Sequence, residues 1–182
     1  MTTAQTATST WTIDPAHSAA EFAVKHLMIS TVKGQFTEFE GMLQIDEGNP
    51  ENSSVVASID VASVNTNQAD RDVHLRSDDF FNAEKYPKMT FRSKSVRHVE
   101  GDLWKVSGDL TIRDVTREVV LDTRYEGRVV DPWGNERAAF TAETTISRKE
   151  FNVRWNQVIE AGGVAVGDSL RVTLNIEVIR QK

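Results

Sequence analysis

The segment RDVHLRSDDFF, residues 71–81, is the densest group of chemically active side chains in this sequence. Its carboxylate and imidazole groups, including those of Asp72 and His74, suit acid–base work, metal binding or contact with a ligand head group. Asp-x-His alone is a weak metal signal, and no His-x-x-x-His or His-Glu-x-x-His motif occurs. Motifs for an activated nucleophile are missing too. We therefore predict no metal site and no catalytic residue, and a helix whose charges pair locally is the simplest interpretation.

His26 and a set of aromatic residues are further candidates for binding. His26 follows Phe22 and Val24 on one face of the alternating segment HSAAEFAVKH, so its imidazole is expected to enter the fold. There it either bonds to a backbone carbonyl or contacts a ligand. The aromatic side chains form either plain core or a lining that grips an aliphatic chain by buried area. They are Phe22, Phe36, Phe91, Trp104, Phe140, Phe151 and Trp155.

Composition limits the classes of function. The 182 residues suffice for one domain, and the net charge of −6 disfavours nucleic-acid binding, which usually needs a basic face. Without cysteine, disulfides and thiolate chemistry are excluded. No segment approaches the ~20 apolar residues that span a bilayer, so stable membrane insertion is not expected. No signal sequence is seen, which predicts a cytoplasmic location. Residues 1–10 are expected to form a disordered tail before a single domain over residues 11–182.

Alternation of apolar and polar residues dominates the rest of the chain. In SLRVTLNIEVIR, residues 169–180, the apolar side chains fall on even positions, so one strand face is buried and the other is in water. The same period recurs between turn signals such as DEGNPENS and DPWGN. In QFTEFEGMLQI the phase changes, which predicts a bulge or tight bend near Thr37–Glu38. About eight strands with hairpin-like spacing result.

These strands predict an all-β fold, an elongated eight-stranded antiparallel barrel. Closure removes exposed sheet edges, and a barrel of this size is either filled by side chains or holds one small ligand. Small residues on the expected inner face favour the second arrangement because they leave room. They are Ala20, Ala57, Gly108, Ala142 and Thr144.

Residues 68–84 break the strand rhythm and predict a short helical segment. Its charges are spaced as i,i+4 pairs, Asp72–Arg76 and His74–Asp78. Phe80 and Phe81 follow directly. We expect this segment to cover one mouth of the barrel, with its charges toward water or a ligand head group and both rings toward the apolar interior.

Four blocks of the sequence, in this order, resemble the YceI-like family, which is often described as polyisoprenoid-binding. They are WTIDPAHSAAEFAVKHLMISTVKGQF (11–36), RDVHLRSDDFFNAEKYPKMTFRS (71–93), GDLTIRDVTREVVL (108–121) and FNVRWN (151–156). The resemblance implies a lipocalin-like barrel whose tunnel holds a polyisoprenoid, an isoprenoid quinone or a fatty amide. Asp114 and Asn152 stand where glycine is common in the family. Both are expected near turns, where Asp and Asn tolerate positive φ.

The resemblance also implies a role and a set of contacts. The role is storage, transport or sequestration of the long-chain ligand, without any other cofactor. Homodimers are common in the family, so a homodimer is one expected assembly. The positions expected to contact the ligand are Phe22, His26, Phe36, Asp72, His74, Phe80, Phe91, Phe151 and Trp155.

Two other functions stay open at this point. An enzyme, such as a hydrolase or isomerase that acts on a lipid through Asp72, His74 or His26, needs an acid–base pair at hydrogen-bond distance beside an open pocket. A stress-linked interaction protein needs a filled barrel and a large exposed apolar patch. The surroundings of these three side chains and the filling of the barrel discriminate between the alternatives.

Overall fold

The chain folds into one antiparallel β-sheet that closes on itself. The computed structural model describes residues 7–182, which contain eleven strands and one α-helix, α1 at Ala69–Arg76. In chain order the strands are β1 Thr8–Ile13, β2 Ala19–His26, β3 Ser30–Phe36, β4 Phe39–Asp46, β5 Ser54–Asp60, β6 Val64–Asn65, β7 Lys88–Glu100, β8 Leu103–Ile112, β9 Val115–Val130, β10 Glu136–Ser147 and β11 Val166–Arg180. Within these residues no helix is long and apolar enough to cross a bilayer.

The eleven strands make an eight-stranded barrel. Its order is β1–β4–β5–β7–β8–β9–β10–β11, and the pairing of Ile13 with Val178 joins β1 to β11 and closes the ring. The remaining strands prolong three of these eight: β2 continues β1 along β11, β3 continues β4 along β2, and β6 continues β5 along β3. The predicted eight-stranded antiparallel barrel is confirmed, with three of its strands interrupted.

Two local expectations have different outcomes. A tight bend at Thr37–Glu38 separates β3 from β4, as the phase change predicted. The expected tail is wrong for residues 8–10, because β1 begins at Thr8 and pairs with β4. Ser9 is buried there, and its hydroxyl accepts a hydrogen bond of 2.8 Å from Trp11 Nε1. Residues 1–6 of that tail lie outside the described part of the chain.

Strand direction gives the barrel two distinct ends. Because neighbouring strands are antiparallel, the connections 27–29, 66–87, 113–114 and 148–165 meet at one end, which we call the cap end. The shorter connections 47–53, 101–102 and 131–135 meet at the other end, the turn end. The two longest connections therefore lie together over one mouth.

Buried apolar residues form two separate clusters. The cap cluster includes Phe22, Phe36, Phe80 and Phe151 and lies at the cap end. The turn-end cluster is built on Trp11, with Ala138 and Val178. Between the two clusters, Ala20 and Ala142 are buried without belonging to either cluster, whereas several other inward-facing side chains are only partly buried. They include Val55, Ala57, Phe91, Val106, Leu121 and Leu174.

Candidate functional site

The cap end holds most of the residues expected to contact a ligand, and α1 positions several of them. The helix begins after Gln68, whose side-chain oxygen accepts a hydrogen bond of 2.7 Å from the Arg71 amide. It ends at Arg76, and the Ser77 amide donates to the carbonyl of His74. The helix is thus shorter than the predicted segment, and turns replace it after Ser77.

Asp72 is a structural residue. Its side chain is buried, and one carboxylate oxygen accepts hydrogen bonds from the Thr66 amide (2.9 Å) and the Thr66 hydroxyl (2.6 Å). The predicted Asp72–Arg76 pair is wrong, because Arg76 instead donates to the carbonyls of Ala62 and Val64. Asp72 therefore links the end of β6 to α1.

His74 also differs from its prediction. Its Nε2 lies 2.8 Å from an oxygen of Asp79, so the predicted His74–Asp78 pair is wrong. The ring packs edge-on against Phe80 and Trp155, at 4.9 and 4.8 Å between ring centroids. Asp78 pairs with Arg113, which also donates to the backbone carbonyls of Asp78 and Phe80. His74 thus forms the outer edge of the aromatic packing.

The second cap segment, residues 148–165, is anchored by Arg148, which the sequence analysis did not single out. This buried guanidinium donates to the carbonyls of Val153 and Trp155, both at 2.9 Å. It also donates to Gly167 and Val166 at the start of β11, at 2.7 and 3.1 Å. Burial lowers the pKa of Arg148. Its only sequence signal was a cation in the turn after β10.

The aromatic residues of the two segments meet those of the barrel wall. The Phe36 ring lies 5.6 Å from that of Phe22 and 5.8 Å from that of Phe81, and Phe80 lies 5.4 Å from Trp155, between centroids. Phe80 and Phe81 both contact the cap cluster, as predicted. The structure thus brings together five of the nine expected contact residues in one apolar cluster: Phe22, Phe36, Phe80, Phe151 and Trp155.

Phe91 and His26 lie apart from that cluster. Phe91 faces the middle of the barrel over Gly108, where an added Cβ would come within 2.6 Å of the ring. The ring therefore lies along the wall. His26 is exposed at the last pair of the β2–β3 hairpin, opposite Ser30, so the expectation that its imidazole enters the barrel is wrong. His26 has the even-numbered parity of the inward-facing residues of β2, but at the rim of the barrel this direction leads to solvent.

One group at the turn end has the geometry of a metal site. Among the described residues, Asp14, His17 and Glu177 bring one ligand atom each within 4.8 Å of one another. Arg137 already occupies this group, because its Nη1 donates to Asp14 (2.8 Å) and to Glu177 (2.7 Å). Its Nε also binds Asp131, and these contacts hold the pKa values of Asp14 and Asp131 below their ordinary range. The arrangement is that of an ion-pair network.

A cavity of about 970 Å³ is an open groove on the outer wall across β10, β11, β2 and β3. It is lined mainly by outward-facing polar side chains, such as Glu21, Lys33 and Arg171. An apolar chain would bury little apolar area there, so this groove is not the expected ligand site.

The fold and the cap define a class of protein: a closed eight-stranded antiparallel barrel with an apolar lining and one mouth covered by two loop segments. Residues 11–178 match the model of the YceI-like domain, and the chain belongs to this family.

Curated relatives extend the match over most of the chain. A UPF0312 protein of Pectobacterium atrosepticum is 42% identical over 166 residues, which cover 91% of this chain and 83% of that protein. The protein YceI of Escherichia coli O157:H7 is 44% identical over 138 residues, covering 76% and 72% respectively.

Solved structures show the same barrel. A YceI protein of Campylobacter jejuni matches with a TM-score of 0.75 and 33% identity, covering 87% of this chain and 90% of that one. BcnA of Burkholderia cenocepacia reaches 0.80 with 22% identity over 91% and 98%. A polyisoprenoid binding domain of Saccharophagus degradans reaches 0.68 with 16% identity over 94% and 98%, and both of these likenesses concern the fold alone.

Proposed function

We propose that the barrel binds one long-chain apolar ligand in its lumen, for storage, transport or sequestration. The ligand class is a polyisoprenoid, an isoprenoid quinone or a fatty amide. Binding rests on desolvation, since each methylene group that leaves water contributes about 0.8 kcal/mol before ordering costs.

The separation of the two apolar clusters carries this proposal. A barrel filled along its length would have one contiguous core. Here inward-facing residues between the clusters, such as Ala57, Val106 and Leu174, keep accessible area although strands paired on both sides separate them from the outside. Gly108 lets the Phe91 ring approach the wall closely. These features support an apolar space in mid-barrel.

The comparisons add support for the ligand class. The Saccharophagus degradans structure that shares this fold is described as a polyisoprenoid binding domain. Membership of the YceI-like family agrees with a binding role. The cap contributes the aromatic rings that would contact one end of the bound apolar ligand.

The proposal is tested with protein purified without detergent. Mass spectrometry of an organic extract is expected to detect a long-chain lipid in about equimolar amount, as one-site burial requires. A crystal structure of the same sample is expected to show elongated electron density between the clusters. An extract without lipid, together with a lumen filled by side chains, would contradict the proposal.

We propose a binding protein rather than an enzyme. The carboxylate of Asp72 is occupied by Thr66, and His74 pairs with Asp79 at the surface, between the rings of Phe80 and Trp155. Neither residue lines the outer groove. The cytoplasmic location and the homodimer stay predictions, to be checked by cell fractionation and by light scattering.

A further inference from the structure

The barrel wall is not hydrogen-bonded along its whole length. β9 and β10 are paired from Glu136 with Val130 to Glu143 with Asp122, and there the described pairing ends. Both strands continue toward the cap end, β9 to Val115 and β10 to Ser147. We call the gap between β9 residues 115–121 and β10 residues 144–147 the seam.

The strands on either side of the seam are fully paired. β8 bonds to β9 as far as Ile112 with Val115, and β10 bonds to β11 as far as Ser147 with Ser169. Fraying of the whole cap end therefore does not explain the seam. It is a local separation of two strands that each keep their other neighbour.

A cavity of about 310 Å³ occupies the seam. Its lining includes residues that face into the barrel, such as Val119 and Ile146, and residues that face out, such as Val120 and Thr145. Because side chains of a strand alternate between its two faces, a cavity that touches both sets lies within the wall itself. Phe151, which is buried in the cap cluster, also borders the cavity.

One side chain bridges this gap. Arg117 has the parity of the inward-facing residues of β9, yet it is exposed, and its Nε donates a 2.9 Å hydrogen bond to the carbonyl of Glu150. Glu150 belongs to the turn that Arg148 holds against β11. Movement of β9 away from β10 would therefore break the Arg117–Glu150 contact while the anchored turn stays in place.

We propose that the seam is the portal through which the apolar chain enters and leaves the lumen, and that Arg117 holds it closed. This inference rests on the proposed function. The cap end itself is covered by two segments that polar contacts of Arg113 and Arg148 hold in place. No strand pairing is described across the seam, so opening it is expected to break fewer backbone hydrogen bonds than opening a paired part of the wall.

A cross-link across the seam tests the portal. The sequence has no cysteine, so Val120→Cys with Thr145→Cys places the only thiols on the two edges of the gap. A disulfide, or a short bifunctional thiol reagent, joins them. The matched control is Ser107→Cys with Val120→Cys, which links the same β9 residue to its paired neighbour in β8.

Exchange is followed with parinaric acid, a fluorescent polyene, by stopped-flow association and by displacement with unlabelled fatty acid. A portal closed by the cross-link is expected to slow association and release equally, by about tenfold or more, with Kd unchanged within about twofold. Cleavage of the disulfide is expected to restore both rates. The control link is expected to leave them unchanged.

Arg117→Ala provides an independent measurement if the linked variant does not fold. Loss of one charged hydrogen bond is expected to accelerate association and release about fivefold to tenfold, with no change in Kd. Wild-type exchange rates in the linked protein, or in Arg117→Ala, would overturn the portal while leaving lumen binding intact. Failure of the wild-type protein to bind the probe or any extracted lipid would instead overturn the proposed function, and the portal with it.

Discussion

Single polar residues decide how the cap of this barrel is held. Asp72, Arg113 and Arg148 each bind backbone groups of a loop segment, and two of the three are buried. A buried backbone carbonyl without a donor costs about 1–3 kcal/mol, so such side chains matter more than exposed ion pairs. These three charged residues of the cap therefore act mainly by holding its backbone in place.

Arg148→Met is expected to lower the free energy of unfolding by about 3 kcal/mol, because it leaves several carbonyls of the second cap segment without a donor. Urea unfolding followed by tryptophan fluorescence measures this change. The control, Lys149→Met, alters the exposed neighbour and is expected to stay within about 0.5 kcal/mol of the wild type. Equal effects of the two substitutions would contradict the anchoring role.

At the scale of elements, turns make the cap differ from a regular helix. α1 ends at Arg76, so Asp78 no longer lies one helical turn from His74 and reaches Arg113 instead. Asn152 closes the turn after β10 with φ of 63°, as its expected tolerance of positive φ allows. In the β8–β9 turn the positive φ falls on Arg113 (55°) and not on Asp114.

Asn152→Ala is expected to cost about 1 kcal/mol in unfolding free energy, because a Cβ-bearing residue without a local polar contact disfavours the left-handed region. Asn152→Gly is expected to lie within about 0.5 kcal/mol of the wild type. Thermal unfolding of the two variants side by side measures the difference. An alanine variant as stable as the glycine variant would mean that the turn imposes no strain.

The elements show which features sequence patterns can predict. Alternation predicts the barrel because each strand has one solvent-facing side and one enclosed side. The change of phase at Thr37–Glu38 predicts the tight bend. The pattern fails for His26. Alternation predicts towards which face of the strand a side chain points, but not whether the barrel still encloses that position. Arg148 and Arg117 escape it as well, since each donates to a backbone carbonyl far along the chain, 19 residues away at Gly167 and 33 residues away at Glu150, and such contacts leave no spacing signal.

At the scale of the whole molecule, Arg137 ties the strands that close the ring. It binds Asp14 after β1, Asp131 in the β9–β10 turn and Glu177 in β11. The pKa of Asp14 is held below its ordinary value of 3.8, mainly by this guanidinium. A carboxylate whose pKa is lower in the folded state contributes stability above its unfolded pKa and loses it as pH falls through the folded pKa.

The wild-type protein is therefore expected to lose this contribution below about pH 4. Arg137→Met is expected to be less stable at pH 7 and to show a shallower loss of stability between about pH 4 and pH 2, because Asp14 and Asp131 lose the main cause of their lowered pKa. Urea midpoints measured across this range test the effect. Arg92→Met, at an exposed position of β7, is the control and should keep the wild-type slope.

The measurement that tests lumen binding most directly fills the proposed space. Ala57→Trp places an indole in mid-barrel, and Val56→Trp places the same ring on the outer face of the same strand. An open lumen predicts that Ala57→Trp lowers affinity for parinaric acid at least about tenfold, changes unfolding free energy by less than about 1 kcal/mol and yields no co-purified lipid. Val56→Trp should bind like the wild type. Unchanged affinity in Ala57→Trp, or its failure to fold because the interior is already packed, would contradict the account.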